Sequence, residues 1–464
     1  MSEGHAKRGG SGGRSAPGQM KLVIVGCGHV GLVTAAGFAD IGHEVVGVES
    51  DPDRLAILQR GAAPFHEPGL PELLAKHHGR SLTFDGNIAR SMQNADAAFI
   101  CVNTPPRPDG RPSLVYVEKA TRDIAGATSG PVVVVEKSTV PVHTARRIVQ
   151  VLRLEHRDHD IDVATNPEFL REGSAVHDTL NPDRIVIGLA GAGRAEAVLR
   201  EVYAPIVDRT GCPMIIADLE TAELIKHASN SFLAMKISYI NAVGRMCEKV
   251  GADIDIVSKG MGLDPRIGPH HLHAGVGYGG CCFPKDLMAF MTQAEELGLD
   301  FSFLDQVRRI NNEQRVQVIQ KLRRAVWNLE GKTIGVWGLA FKAGTDDMRE
   351  APSLDVIPAL EHEGATVRAY DPAAGSVAKA EFPRAEIVAD ARSAVEGSDA
   401  LVVLTEWPEF AEADLVLLKE ALRHPVVVDG RNLWPVDRMA ELGFTYLSFG
   451  RPDVIGGEIR KPGP

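Results

Sequence analysis

The sequence of 464 residues is short of cysteine, short of positive charge, and carries no apolar run of membrane-spanning length. Six cysteines in so long a chain cannot make a disulfide framework, so a reduced, cytoplasmic setting is expected. Lys and Arg number 50 against 61 Asp and Glu, a formal net charge of −11. That balance argues against nucleic acid or an anionic membrane as the main partner. An anionic ligand would then need a locally basic or dipolar pocket. The first 20 residues are rich in Gly, Ser and basic side chains and nearly devoid of apolar ones, which predicts a disordered tail over 1–20. The tail has no hydrophobic segment, so it does not read as a secretory signal.

What is present is an ordinary globular composition, 44% apolar and 24% charged. The chain is too long for one core, and two or three domains are expected. Lys21 to Val25 is a short apolar strand that runs into Gly26-Cys27-Gly28-His29-Val30-Gly31. A helical pattern follows through Asp40, then a second strand, His43 to Val48, that ends on Glu49. Strand, glycine turn, helix, strand and acid is the order of a dinucleotide site. The first glycine turns the chain, the second admits the pyrophosphate, and the third packs helix on strand. The helix N-terminus faces the phosphates and the acid takes the ribose hydroxyls. Glu49 stands 18 residues after Gly31 and favours NAD over NADP, since a carboxylate repels a 2′-phosphate; Arg54 just beyond weakens that preference.

Three further apolar segments end in polar residues: Asp96 to Val102 before Asn103-Thr104-Pro105, Pro131 to Val135 before Ser138-Thr139-Val140-Pro141, and Asp162 to Ala164 before Asn166-Pro167-Glu168-Phe169-Leu170-Arg171-Glu172-Gly173. Open parallel sheets bind ligands at the carboxyl ends of their strands. A lone Thr or Glu there is more often a helix cap; several in register with a cofactor site make a catalytic rim.

Leu219 to Val250 reads as one long helix, without proline and with only Gly244 inside. Lys226 and Asn230 are four apart and share a face. The bland reading of such a lysine is a solvated charge. A long apolar helix between two domains also suggests a dimer seam. Beyond it lies Gly275-Val276-Gly277-Tyr278-Gly279-Gly280-Cys281-Cys282-Phe283-Pro284-Lys285-Asp286. So many glycines let backbone approach a ligand closely. A thiol there, beside a cation and a carboxylate, is a candidate nucleophile; a buried structural cysteine in a tight turn is the alternative. His270, His271 and His273 precede it, but no CxxC spacing is present, so no zinc pattern is met and no metal is expected. The last third repeats strands and turns, with Gly338-Leu339-Ala340-Phe341-Lys342 after Lys332 to Trp337 and Asp429-Gly430-Arg431-Asn432 after Val426 to Val428. A second α/β sheet with a nucleotide-like ligand is expected, with Lys342, Arg349 and Arg431 as phosphate contacts or, blandly, surface ion pairs.

These ordered motifs, from Lys21 to about Ile455, resemble the UDP-glucose/GDP-mannose dehydrogenase family, and among its members most of all those acting on UDP-glucose. The resemblance implies an α/β protein of two Rossmann-like doubly wound domains joined by a long central helix. The expected divisions are an NAD-binding domain over 21–205, a central helical dimerisation domain carrying the cysteine loop over 206–320, and a UDP-sugar-binding domain over 321–464. It implies a cytoplasmic homodimer that oxidises a nucleotide-sugar alcohol to a carboxylate with two NAD. By resemblance Cys282 is the nucleophile and Lys226 and Asn230 stabilise oxyanions, while Glu168, Glu172, Thr139 and Asp286 orient water and relay protons. The implied NAD contacts are Gly26, Gly28, His29, Val30, Gly31, Glu49, Arg54, Thr104, Thr139, Lys285 and Arg349. The implied substrate contacts are Glu168, Phe169, Leu170, Lys226, Asn230, Gly279, Phe341, Lys342 and Arg431, with Arg266 near a subunit interface.

Three positions depart from the family pattern: His29 for a usual Tyr, Cys281 for a common Ser, and His143 for a usual Gly. The rival readings are a sibling enzyme for UDP-N-acetyl-hexosamine or GDP-mannose, a two-electron β-hydroxyacid dehydrogenase, and a silent nucleotide-sugar sensor. The second needs neither the cysteine nor the second nucleotide domain. The third has no reason to keep Cys282, Lys226 and Asp286.

Overall fold

The computed structural model describes residues 18–155 and 161–460. Most of the expected N-terminal tail, residues 1–17, lies outside the described residues. Two eight-stranded sheets make the frame. The first takes β1 (Lys21–Val25), β2 (Glu44–Val48), β3 (Leu82–Asp85), β4 (Ala97–Ile100), β5 (Val132–Glu136), β6 (Ile161–Thr165), β7 (Ile185–Leu189) and β8 (Met214–Asp218). Their spatial order is β3-β2-β1-β4-β5-β6-β7-β8, parallel throughout except at β6–β7. Runs such as Val132 to Val135 are buried on both faces, which is why they read as unbroken apolar segments rather than alternating ones.

The second sheet takes β9 (Thr333–Trp337), β10 (Thr366–Tyr370), β11 (Glu386–Ile387), β12 (Ala400–Val403), β13 (Val426–Asp429), β14 (Thr445–Leu447), β15 (Asp453–Ile455) and β16 (Glu458–Arg460), in the order β11-β10-β9-β12-β13-β14-β15-β16. Its last two pairings are antiparallel. In each sheet the order reverses beside the first strand, between β1 and β4 and between β9 and β12. A reversal opens a crevice at the carboxyl ends of the strands. Each sheet therefore has one reversal point at which a ligand crevice is expected.

Between the sheets runs a helix over Leu219–Val250, 32 residues long, as the unbroken apolar periodicity predicts. The Asp218 side chain caps its start by accepting the N–H of Thr221 at 2.7 Å, and Gly251 at φ 75° ends it. Helices Cys282–Glu296 and Ser302–Val326 pack on it. Cys282 is thus the first residue of a helix lying against the central one. No described helix is long and apolar enough to cross a membrane.

Candidate active site

The glycine turn after β1 is built as its spacing requires. Gly26 sits at φ 94°, and a Cβ there would lie 2.7 Å from the Cys101 carbonyl oxygen. At Gly31 a Cβ would come within 1.8 Å of the Gly26 carbonyl oxygen. Gly28 differs: its nearest neighbour to a built Cβ is Asn103 Oδ1 at 3.8 Å, so space stands open in front of it. Gly28 also caps the His29–Asp40 helix without a side-chain bond, leaving the first helical N–H groups free for an anion. Glu49, at the end of β2, accepts the Cys27 N–H at 3.2 Å and the Asp51 N–H at 2.9 Å, and Arg54 stands 3.6 Å away. Open turn, free helix end and anchored acid fit a dinucleotide. Val30 lies half-buried in the first helical turn. His29 bonds Glu67 at 2.8 Å and stacks on Phe65.

The cysteine loop is clamped by amide side chains. Asn241 accepts the Gly275 N–H, Gln314 donates to the Gly275 carbonyl, and Asn311 both accepts the Tyr278 N–H at 2.8 Å and donates to its carbonyl at 3.0 Å. Gly277 at φ 94° leaves no room for a Cβ, which would meet Asn311 Oδ1 at 2.6 Å. The second sheet closes over the same loop. A Cβ on Gly280 would strike the Phe341 ring at 2.8 Å, and one on Gly279 would meet Phe341 Cβ at 2.9 Å. Arg431 donates to the carbonyls of Leu404, Phe341 and Gly277. The Lys342 ammonium stands 5.5 Å from the Phe341 ring centre.

Around Cys282 the charges come in pairs. Lys226, only 4% exposed, donates to Glu168 Oε1 at 2.8 Å. Glu168 Oε2 accepts the Leu170 N–H at 2.6 Å. Asn230 donates to Asp286 Oδ2 at 2.6 Å, and Lys285 bonds the other Asp286 oxygen at 2.8 Å. Lys285 reaches on to the Thr104 hydroxyl, which itself donates to the Thr139 carbonyl. Burial works against the Lys226 ammonium, but the carboxylates of Glu168 and Asp286 hold its pKa above the usual value. Burial would raise the Asp286 carboxyl; Lys285 and Lys226 overcome it and hold the acid low.

The thiol itself is not activated in this state. Its pKa is pushed up, first by the Cys281 sulfur and then by burial, with Lys226 pulling only weakly the other way. A lysine already bound to Glu168 has little field left for a neighbouring thiolate. Beside the two thiols, burial and the nearby Asp347 raise the Glu172 carboxyl to about 9. Arg349 lies 3.5 Å from Glu172 but gives its shortest bond, 2.5 Å, to Asp347.

Three profile matches cover most of the chain: residues 20–207 to the UDP-glucose/GDP-mannose dehydrogenase family, NAD binding domain; 220–313 to its central domain; and 335–436 to its UDP binding domain. The chain belongs to the UDP-glucose/GDP-mannose dehydrogenase family. It is 43% identical over 441 residues to UDP-glucose 6-dehydrogenase TuaD of Bacillus subtilis, covering 94% of this chain and 95% of that one. The same identity over 449 residues relates it to the UDP-glucose 6-dehydrogenase of Pseudomonas aeruginosa, covering 93% and 98%. Among solved structures, a UDP-glucose dehydrogenase from Pyrobaculum islandicum superposes with a TM-score of 0.84 at 37% identity, covering 95% of this chain and 99% of that one. The UDP-D-ManNAc dehydrogenase from Pyrococcus horikoshii gives 0.79 at 27%, covering 93% and 99%.

The Thr104–Thr139 rim at the carboxyl ends of β4 and β5 meets the cysteine helix through Lys285. Two bonded groups stand around Cys282: Lys226 with Glu168, and Asn230, Asp286, Lys285, Thr104 and Thr139 in a chain. Glu172, Arg349 and Asp347 close one side; Phe341, Lys342 and Arg431 come from the second sheet, with Phe341 against Gly279 and Gly280 of the cysteine loop. Phe169 lies under Arg184, whose guanidinium carbon is 3.7 Å from the ring centre. Arg266 is not brought to this cleft within one chain: its side chain is 87% exposed and pairs with Asp264. The loop clamps Asn241, Asn311 and Gln314 were not singled out in the sequence, nor was Glu67. Glu67 ties the glycine turn to the Glu172 loop by bonding His29 and the N–H groups of Gly173 and Ala175. Isolated amides on helices carry no motif that announces such a role.

Proposed function

We propose that this chain is a UDP-glucose 6-dehydrogenase, turning UDP-glucose, two NAD+ and water into UDP-glucuronate and two NADH. The observation that carries the reading is the meeting of Cys282 with buried Lys226, Asn230 and Asp286 at the cleft between the NAD turn and the second sheet. The 43% identity to two UDP-glucose 6-dehydrogenases supports UDP-glucose over the acetylated or GDP-linked sugars.

Bound NAD supplies the hydride acceptor. Cys282 then acts on the aldehyde carbon. Its sulfur adds to give a thiohemiacetal; loss of a second hydride, to the second NAD+, and of a proton leaves the thioester, which water hydrolyses to the carboxylate and the free thiol. Lys226 and Asn230 sit four apart on one helix face and donate to the oxygen where negative charge develops. Glu168, Thr139 and Asp286 hold water and protons. Glu172, protonated near neutral pH by its burial, is placed to give a proton rather than take one. Phe341, Lys342 and Arg431 of the second sheet, with Gly279 of the cysteine loop, hold the nucleotide end, with Phe169 and Leu170 opposite. The domain divisions at 21–205, 206–320 and 321–464 follow that division of labour.

A homodimer is supported by the central helix. Leu224, Phe232, Tyr239, Met246 and Val250 stand exposed along it at spacings of seven or eight and then four. Lys236 of the same helix donates to the Ile267 carbonyl at 3.0 Å, so the turn carrying Arg266 lies beside that stripe and would face a partner's cleft. Six free cysteines suit a reducing cytoplasm. The test is NADH formation by the purified protein offered UDP-glucose, a UDP-N-acetyl-hexosamine and GDP-mannose at equal concentration. The reading expects UDP-glucose to give the highest kcat/KM; preference for either rival would overturn the substrate assignment.

A further inference from the structure

Cys281 and Cys282 are neighbours in sequence whose sulfurs also converge, 3.7 Å apart. A disulfide needs about 2.05 Å and adjacent residues reach it with difficulty. Two thiolates on one tetrahedral zinc, each at about 2.3 Å, stand about 3.8 Å apart. The observed gap is compatible with a chelate, and in the metal-free protein it is spanned by an S–H···S contact. A third ligand type is in place. Glu172 Oε1 lies 3.9 Å from the Cys281 sulfur, against about 3.6 Å for a thiolate and a carboxylate on one zinc. One atom from each of the three residues falls within 4.8 Å of the others. The second Glu172 oxygen is buried and receives no donated hydrogen bond, and a close polar neighbour of this carboxyl is another carboxyl, Asp347. Neighbouring cations do not oppose a metal strongly, because each is already paired: Lys226 with Glu168, Lys285 with Asp286, Arg349 with Asp347.

We propose that Cys281, Cys282 and Glu172 form a site for a thiophilic divalent cation, Zn2+ being the natural probe, and that occupation withdraws Cys282 from the reaction. Three protein ligands leave the fourth tetrahedral position to water. Binding forms two metal–sulfur bonds and one metal–oxygen bond and releases the protons those groups carried, so affinity rises with pH. The blocking half of the proposal rests on Cys282 being the nucleophile; the binding half does not. The site belongs to this chain's departure at Cys281, since a serine there would remove one of the two soft ligands.

The experiment titrates Zn2+ into the reduced, full-length protein against a chromophoric chelator, and follows NADH formation in parallel. One equivalent is expected to bind, with affinity falling more than about tenfold in Cys281→Ser and in Glu172→Gln. Co2+ in the unmutated protein supplies a check that needs no variant: a thiolate-to-cobalt charge-transfer band is expected. Equal Zn2+ affinity in the unmutated and Cys281→Ser proteins, or Co2+ without that band, overturns the site and leaves the proposed reaction standing. Tight binding without loss of NADH formation keeps the site but overturns its blocking action, and with it the nucleophilic role of Cys282.

Discussion

Lys226→Met separates the two things Lys226 does. The side chain is 4% exposed and its partner Glu168 only 6%. Removing one member of a buried ion pair leaves the other uncompensated, at a cost of about 3–5 kcal/mol. Losing a donor to a developing oxyanion lowers turnover by about 10²–10³-fold, roughly 2.7–4 kcal/mol. The variant should therefore unfold at lower urea and turn over at least about a hundredfold more slowly, while NAD binding, measured by fluorescence quenching, changes little. Adding Glu168→Gln removes the orphaned charge. The double variant should recover most of the lost stability and none of the turnover. The assays are urea denaturation and initial rates of NADH formation. Turnover of Lys226→Met near that of the parent protein would refute its place at the oxyanion. A denaturation midpoint unchanged by the single substitution would refute the energetic account of the pair.

His143 occupies φ 79°, a left-handed conformation that only glycine adopts freely, so His143→Gly should stabilise the protein by about 1 kcal/mol in urea denaturation. Glu136 is fully buried and its carboxyl is pushed up to about 8 by burial. A carboxyl raised in the folded state gives stability that is present below its unfolded pKa and lost as pH rises toward 8. Glu136→Gln should flatten the fall in stability between about pH 4.5 and 8, read from thermal unfolding across pH. Gly28→Ala places a methyl in open space where pyrophosphate would approach, so KM for NAD should rise with the fold intact. Gly31→Ala meets the Gly26 carbonyl and should instead lower the melting temperature.

The α/β architecture, the glycine turn and the central helix were legible because each rests on local pattern. Gly26, Gly28 and Gly31 have fixed spacing, and Leu219–Val250 keeps one period without a break. Strands that lack such signals were missed. The antiparallel β7, at Ile185–Leu189, follows no motif, and β14 to β16 are three residues each. At the site, the sequence put Lys226 and Asn230 on one face but could not show their partners, since Glu168 and Asp286 are 58 and 56 residues away along the chain. It put the Lys285-Asp286 pair beside the thiol and Lys226 by resemblance, but could not show that Glu168 pairs with Lys226. The His143 departure became physical only with its φ in hand: the position favours glycine because its backbone is left-handed.

The central claim is a four-electron oxidation through Cys282. The most direct test is the number of NADH formed per UDP-glucose consumed, with the sugar nucleotide limiting and NAD in excess. The account predicts a ratio of two. A ratio of one would mean the reaction stops at an aldehyde or ketone, and the covalent role of Cys282 would be contradicted.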